Sequence, residues 1–319
     1  MNKKKNYQSS LLTDKLIFVG GVTRCGKSLL LPIISTFNKT EMFFCNSIAE
    51  NVYFLNYLKL LDDETASYLF RHVYNEKIYN LNIGRELNKR KNDYSSIYNY
   101  KNPKIYIQRE KSINEGDLII ENIKKQKNNY PIMFHNVLLN PNFIFKAYPK
   151  SKVIFIERHP VDLIFSWIKK KYSGKFYSNP RATTLSFKSK KITYPFWCER
   201  YQEEYGKLDN IYEKTIFLID KLYVVQKKNF LKFKKKFSKN ILLVKFEKLT
   251  EETDDEIIRI EKFLNLKKSK FTVLEIKKQR GNRNSTNILR ETRRNEVINN
   301  ISEKFKKKLI ELEKIYIKK

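Results

Sequence analysis

Residues 18–30 read FVGGVTRCGKSLL. An apolar run enters a glycine-rich turn, and a second apolar run leaves it. The stretch 15–20 (KLIFVG), bounded by glycine, reads as a buried parallel strand. Residues 27–38 read as the helix that follows, with Pro32 in its first two turns, where proline is tolerated. Residues 21–28 fit G-x-x-x-x-G-K-[ST] letter for letter. Glycines at such a turn let successive backbone N–H groups point at one anion, and the helix adds its positive N-terminal end. A phosphate-like anion is expected over 20–28. The letters do not say which anion.

Working outward, residues 131–135 (PIMFH), 152–157 (KVIFIE) and 241–246 (ILLVKF) read as three further buried strands. Residues 48–74, 161–171, 196–235 and 254–264 read as helices. Ile298, Ile301, Phe305, Leu309, Leu312 and Ile315 recur at three- and four-residue steps and mark a terminal amphipathic helix. Strands alternating with helices imply an α/β fold, a central parallel sheet flanked by helices. The stretch 76–130 is polar, rich in Asn, Lys and Tyr, and reads as a helical insertion or lid. No internal repeat or linker divides the chain, so one domain over 1–319 is expected.

The net charge is +31, from 65 Lys and Arg against 34 Asp and Glu. Such a field draws in anions of every kind. Yet Lys, Asn and Ile are abundant together, as an AT-rich coding bias produces, and much of this charge reads as solvated surface. No nucleic-acid motif accompanies it, and nucleic acid is not an expected partner. No apolar stretch approaches the ~20 residues that span a bilayer. Asp14 and Lys15 interrupt the apolar part of the N-terminus, which reads as a basic tail rather than a secretion signal. Cys25, Cys45 and Cys198 are few, odd in number and scattered, which gives no disulfide framework and no metal spacing and points to a reducing cytoplasm. Nothing in the pattern speaks to oligomeric state.

A second motif carries chemistry. Residues 152–167 run KVIFIERHPVDLIFSW. Arg158 ends the strand, His-Pro starts a turn, and Ser166 follows two turns along the next helix. A planar guanidinium fork and a hydroxyl so placed can converge on one phosphate, which makes a second anion site. An ATP enzyme would instead need a strand-end carboxylate to hold magnesium, and Glu157 and Glu247 are the candidates. An Mg-ATP-dependent P-loop kinase of small molecules is therefore the alternative reading. A non-catalytic polyanion binder driven by charge is a third.

The pairing of TRCGKSLL with KVIFIERHPVDLIFSW resembles the sulfotransferases that use 3′-phosphoadenosine 5′-phosphosulfate (PAPS). ILLVKFEKLTEETDDEIIRIEKFLNL (241–266) is similar to that family's late segment, a strand with an aromatic–Glu–x–Leu ending and then a helix. KKQRGN (277–282) resembles its late basic–glycine loop. The resemblance implies a fold similar to nucleotide kinases, PAPS as co-substrate, no metal, and an acceptor that is a sugar, lipid or small molecule. It implies that Arg24, Cys25, Gly26, Lys27, Ser28 and Leu29 hold the 5′-phosphosulfate. Arg158 and Ser166 would hold the 3′-phosphate, with Arg280 and Gly281 touching it as well. Lys27 stands where the family usually has Thr, so Arg24 and Lys27 are both candidates for the cation facing the leaving oxygen.

Two residues compete for the role of general base. His135 ends the strand PIMFH, where one branch of the family carries a catalytic His; Met133 and Phe134 replace the Lys-Thr pair that precedes it there. Glu50 lies in FFCNSIAENVYF, where other branches carry a catalytic Glu. His135 is favoured because ligands bind at strand carboxyl ends in open α/β sheets. His159 reads as part of the turn before Pro160, His72 as helix surface, Trp167 and Trp197 as core, and Glu247 as a structural contact. The acceptor pocket is expected from 76–130 and 172–195.

Overall fold

The structure, a computed structural model, describes residues 10–174, 184–189, 192–283 and 288–318. The basic tail 1–9, and residues 175–183 and 190–191 of the expected acceptor segment, lie outside the described residues. The strands in chain order are β1 (Leu16–Gly21), β2 (Phe44–Cys45), β3 (Tyr130–His135), β4 (Lys152–Glu157), β5 (Ser186–Ser189), β6 (Ile192–Pro195) and β7 (Ile241–Lys245). Five of them form one parallel sheet in the order β2-β3-β1-β4-β7, while β5 and β6 pair as a separate antiparallel hairpin. The α/β fold with a central parallel sheet flanked by helices is the one the sequence predicts.

The side-chain alternation of β1 explains the layers. Leu16 and Phe18 face one apolar core, with Phe70 and Tyr74 of the helix Asp63–Asn82 and Leu218 and Leu222 of the helix Ile211–Lys234. Ile17 and Val19 face the other, with Leu30, Leu31, Ile33 and Ile34 of the helix Lys27–Ser35. Both faces of the sheet are covered, as parallel sheets require. From β1 the chain passes to β2 and β3 on one side, then crosses back to β4 and β7 on the other. Ligand crevices open at such a reversal, outside the carboxyl ends of the strands. Gly21, His135 and Glu157 all end their strands there.

Several helices are shorter than the apolar spacing suggests, because polar side chains restart them. The stretch 48–74 is two helices, Ser47–Tyr57 and Asp63–Asn82. The second begins where Asp62 accepts bonds from Glu64 N and Thr65 N. Within 196–235, Asn210 starts the helix Ile211–Lys234 in the same way. The terminal helix divides into Arg290–Ile298 and Glu303–Ile317. The two-residue β2 and the β5–β6 hairpin are additions that the sequence pattern did not suggest. In 76–130, the helix Pro103–Lys111 carries Tyr106, whose hydroxyl meets Glu41, and Arg109, whose Nη2 lies 2.9 Å from Glu41 Oε1. That ion pair anchors the segment ahead of β2. Among the described residues no helix is long and apolar enough to cross a membrane.

The end of β4 is held from below. Glu157 and Lys227 form a fully buried pair, Nζ to Oε1 at 3.0 Å, and Tyr223 donates to the same oxygen at 2.8 Å. Burial still pushes the Glu157 carboxyl above its ordinary range, with Lys227 opposing it. Removing one partner of such a pair leaves an uncompensated buried charge. Lys227→Ala is therefore expected to lower stability by roughly 3–5 kcal/mol. The double variant Lys227→Met/Glu157→Gln should lose much less. Urea unfolding of both at pH 7 checks this, and equal losses would show that the charge pairing is not what matters.

Candidate active site

The glycine loop is shaped by contacts that leave no room for side chains. Gly21 has φ 145°, and a Cβ there would lie 2.3 Å from the Ile156 carbonyl oxygen on β4. Gly26 has φ 113°, and its Cβ would meet the Phe246 ring at 2.5 Å. Gly26 also caps the helix Lys27–Ser35 with no side-chain hydrogen bond to its first amides. The Leu29 N–H turns back to the Gly26 carbonyl at 3.0 Å, so the Lys27 and Ser28 N–H groups and the helix dipole are what the loop offers an anion. Ser28 is exposed and Leu29 half-buried at this end, while Cys25 is buried beneath the loop.

Arg24 adopts φ 75°, in the left-handed region. Three contacts around the loop come from the second motif. Arg158 donates through Nη1 to the Arg24 carbonyl at 3.0 Å. Trp167 donates to the Thr23 carbonyl at 2.8 Å. Arg24 in turn donates through Nε to Ser166 Oγ at 3.1 Å. The two expected anion sites therefore adjoin, with Arg24 as the bridge. The Arg158 guanidinium also lies over the Phe246 ring at 4.4 Å, and its buried Nε has no hydrogen-bond partner among the described residues. Burial draws Arg158 below its ordinary range, and Asp162 and Glu247 oppose this.

The late basic loop reaches the same ring. Arg283 lies over the Phe246 ring at 5.6 Å, the same ring that the Arg158 guanidinium lies over. Burial, and then the charge of Arg280, lowers the Arg283 guanidinium from its usual range. Arg280 itself is exposed with φ 55°, and Gly281 fits where a Cβ would strike Ile276 and Thr253. The sequence motifs alone do not single out Phe246 or Arg283. Their signals were present: Phe246 is the aromatic of the late segment, and Arg283 directly follows KKQRGN. Asp162, paired with Arg290 and Arg293 at 2.9 and 2.6 Å, was not legible, because its partners lie far along the chain.

Lys27 takes a position that the sequence did not suggest. It is buried, and its amine donates to the Gly21 carbonyl at 3.0 Å and approaches the Val22 carbonyl at 3.5 Å. It thus braces the loop from inside, whereas Arg24 extends from the loop to the second motif. Trp167 is fully buried and Trp197 nearly so, as core residues. His159 is drawn down to about 4 by burial first and by Arg290 next, and its backbone N–H donates to Glu247 Oε1 at 2.9 Å.

His135 and Glu50, weighed as rivals in the sequence, are in contact. Glu50 Oε1 accepts the His135 backbone N–H at 2.7 Å and lies 3.0 Å from the ring Nδ1, with Oε2 at 3.1 Å. Glu50 is 7% exposed. The pairing of β1 with β3 sets His135 opposite Gly21, at the root of the glycine loop. The two carboxylates that a magnesium site would need are already engaged. Glu157 is held by Lys227 and Tyr223, and Glu247 by the His159 amide and the Tyr316 hydroxyl at 2.6 Å.

Comparison with known proteins gives three findings. No curated protein matches this chain. Similar solved structures include the sulfotransferase domain of the Synechococcus PCC 7002 olefin synthase, at 11% identity and TM-score 0.48, covering 100% of this chain and 99% of that one. A sulfotransferase domain of the curacin biosynthetic pathway has 13% identity and TM-score 0.43, over 83% and 78% of the two chains. A Mycobacterium avium sulfotransferase has 9% identity and TM-score 0.39, over 84% and 68%. The model of the sulfotransferase domain matches residues 14–315, nearly the whole length, and this chain belongs to that family.

Proposed function

We propose that this protein moves the sulfuryl group of PAPS to an acceptor hydroxyl or amine by in-line displacement, without a metal ion. The observation that carries this reading is the bridge from Arg24 to Ser166 and Arg158, which joins a glycine loop for one anion to a separate cationic site for another. PAPS carries two such anionic groups. The free amides at the start of the helix Lys27–Ser35 and the unpartnered Nε of Arg158 suit them.

Bound PAPS supplies the activated sulfur, and adenosine 3′,5′-bisphosphate (PAP) is its leaving group. The chain's own residues do the rest. The loop amides, Ser28 and Leu29 hold the 5′-phosphosulfate, and Arg24 stabilises charge growing on the bridging oxygen. Arg158 and Ser166 hold the 3′-phosphate, with Arg280 and Gly281 beside them. Phe246 backs this region as an apolar wall. Lys27 keeps the loop carbonyls turned inward, so that the amides face out. A base from the Glu50 and His135 pair removes the acceptor's proton, a contribution typically worth ~10²–10⁴-fold. The family match over 14–315 supports treating the chain as one catalytic unit. The unpaired thiols of Cys25, Cys45 and Cys198 suit a reducing cytoplasm.

The kinase reading is weaker, because Glu157 and Glu247 are committed to protein partners. PAP is expected to raise the melting temperature with EDTA present, and more than ATP does. A larger shift with Mg-ATP, abolished by EDTA, would favour the kinase instead.

Arg158→Ala should weaken PAP by roughly 1.5–3 kcal/mol, the worth of a charge-assisted contact. Adenosine 5′-phosphosulfate, which lacks the 3′-phosphate, should lose far less. Comparing the two ligands by calorimetry cancels any relaxation of the loop at the Arg24 carbonyl, and equal losses would remove Arg158 from the 3′-phosphate site.

Arg24→Ala and Lys27→Thr should differ in kind. Loss of Arg24 is expected to cut the rate of PAP release from PAPS more than PAP affinity. Loss of Lys27 should lower both PAP affinity and melting temperature, since its contacts are to loop carbonyls. Lys27→Thr with full stability but no turnover would reverse these roles.

A further inference from the structure

Two residues that could each have served as a base are arranged so that only one can. The strand β2 is two residues long and its last pairing is Cys45 with Met133. The backbone N–H of His135, two positions beyond Met133, therefore has no strand partner on that side. Glu50 fills the vacancy from the first turn of the helix Ser47–Tyr57, whose amino end is capped by Asn46 through Ala49 N. A carboxylate is favoured there by the helix dipole. Having taken the backbone N–H, the same carboxylate also reaches the ring Nδ1, at 3.0 and 3.1 Å. A carboxylate only accepts, so this geometry favours the tautomer with its proton on Nδ1.

We propose that Glu50 is a positioning residue that holds the proton on His135 Nδ1, leaving Nε2 bare as the general base for a neutral hydroxyl acceptor. This rests on the sulfuryl-transfer reading above. Glu50 is unsuited to act alone, because its oxygens are occupied and its side chain is buried. His135 keeps 35% of its side chain exposed, and Nε2 lies on the ring edge away from Glu50. In the transfer, the acceptor's O–H bond breaks and its proton passes to Nε2. The acceptor oxygen forms a bond to sulfur, and the bridging S–O bond breaks with its electron pair leaving on the 5′-phosphate of PAP. The imidazolium is held by Glu50 until the Nε2 proton passes to water. Such a device is needed for hydroxyls that keep their proton at neutral pH, those of sugars and aliphatic alcohols. An acidic phenol, already ionised, does not require it.

The test is nitrogen NMR of full-length protein labelled at histidine, with His135 assigned by its loss in His135→Asn. The expected spectrum at neutral pH shows His135 protonated at Nδ1 and bare at Nε2. Glu50→Ala should move the proton toward Nε2, and Glu50→Gln, which keeps an acceptor oxygen, should retain most of the original form. Retained PAP-dependent stabilisation of Glu50→Ala would show that its donor site is intact. If that variant does not fold, the wild-type spectrum decides, and a proton on Nε2 there overturns the proposal. PAP release from PAPS with glycerol as a neutral acceptor should fall at least ~10²-fold in both His135→Asn and Glu50→Ala, with little further loss in the double variant. A wild-type rate matched by either variant also overturns it. Failure of PAP to stabilise the wild type would instead strike the sulfuryl-transfer reading and leave the tautomer result standing.

Discussion

The site depends on how Arg24 is held. A non-glycine residue in the left-handed region costs roughly 1–2 kcal/mol, and here the surroundings impose it. Arg158 binds the Arg24 carbonyl, Trp167 binds the carbonyl before it, and the Arg24 side chain returns to Ser166. Each such bond is worth about 1 kcal/mol net, and more when a charged donor takes part. Together they can outweigh the strain. They also lock the loop after β1 to the strand end and helix after β4. The guanidinium of Arg24 is thereby carried to the boundary between the two expected anion sites.

The same crevice gathers positive charge without letting it collapse onto carboxylates. Arg158 and Arg283 share the Phe246 ring, where a cation gains by facing the π cloud and keeps its hydrogen-bonding edge free. Nearby acids are directed elsewhere. Asp162 is taken by Arg290 and Arg293, Glu157 by Lys227, and Glu247 by an amide and a tyrosine hydroxyl. A buried cation with an unsatisfied N–H is costly in isolation, and an arriving phosphate would relieve that cost. Across β1, the opposite polarity prevails. One carboxylate, Glu50, faces one imidazole, His135, at the root of the loop. A cation thus stands on one flank of β1 and an acid–imidazole pair on the other.

Much of this was legible in the residues. Four of the five sheet strands were readable, because buried parallel strands are short apolar runs bounded by turn residues. The glycine turn at 21–28 was readable from its glycines, and the placement of Arg158 and Ser166 from local spacing across a strand–helix turn. Two-residue β2 was too short to leave a pattern, and the helix breaks at Asp62 and Asn210 depended on caps that apolar spacing does not register. The orientation of Lys27 was not legible for a related reason. Its letter matches a phosphate-binding lysine, but which way a flexible side chain turns is set by the nearest carbonyls, and here those are Gly21 and Val22.

The sequence by itself determined the parallel α/β fold, the glycine loop that follows its first strand, and the Arg158–Ser166 spacing across a strand–helix turn. These are local properties, fixed by side-chain period, glycine placement and spacing within one strand and its next turn. Only the tertiary structure decided that Glu50 and His135 are in contact, that Arg24 links the glycine loop to the Arg158–Ser166 motif, and that Phe246 meets two arginines. Each of those relations spans scores of residues along the chain: Glu50 and His135 are 85 apart, Arg24 and Ser166 142. Contacts of that kind arise when strands pair in register and bring their carboxyl ends to one edge, and no local pattern in the chain encodes that distance.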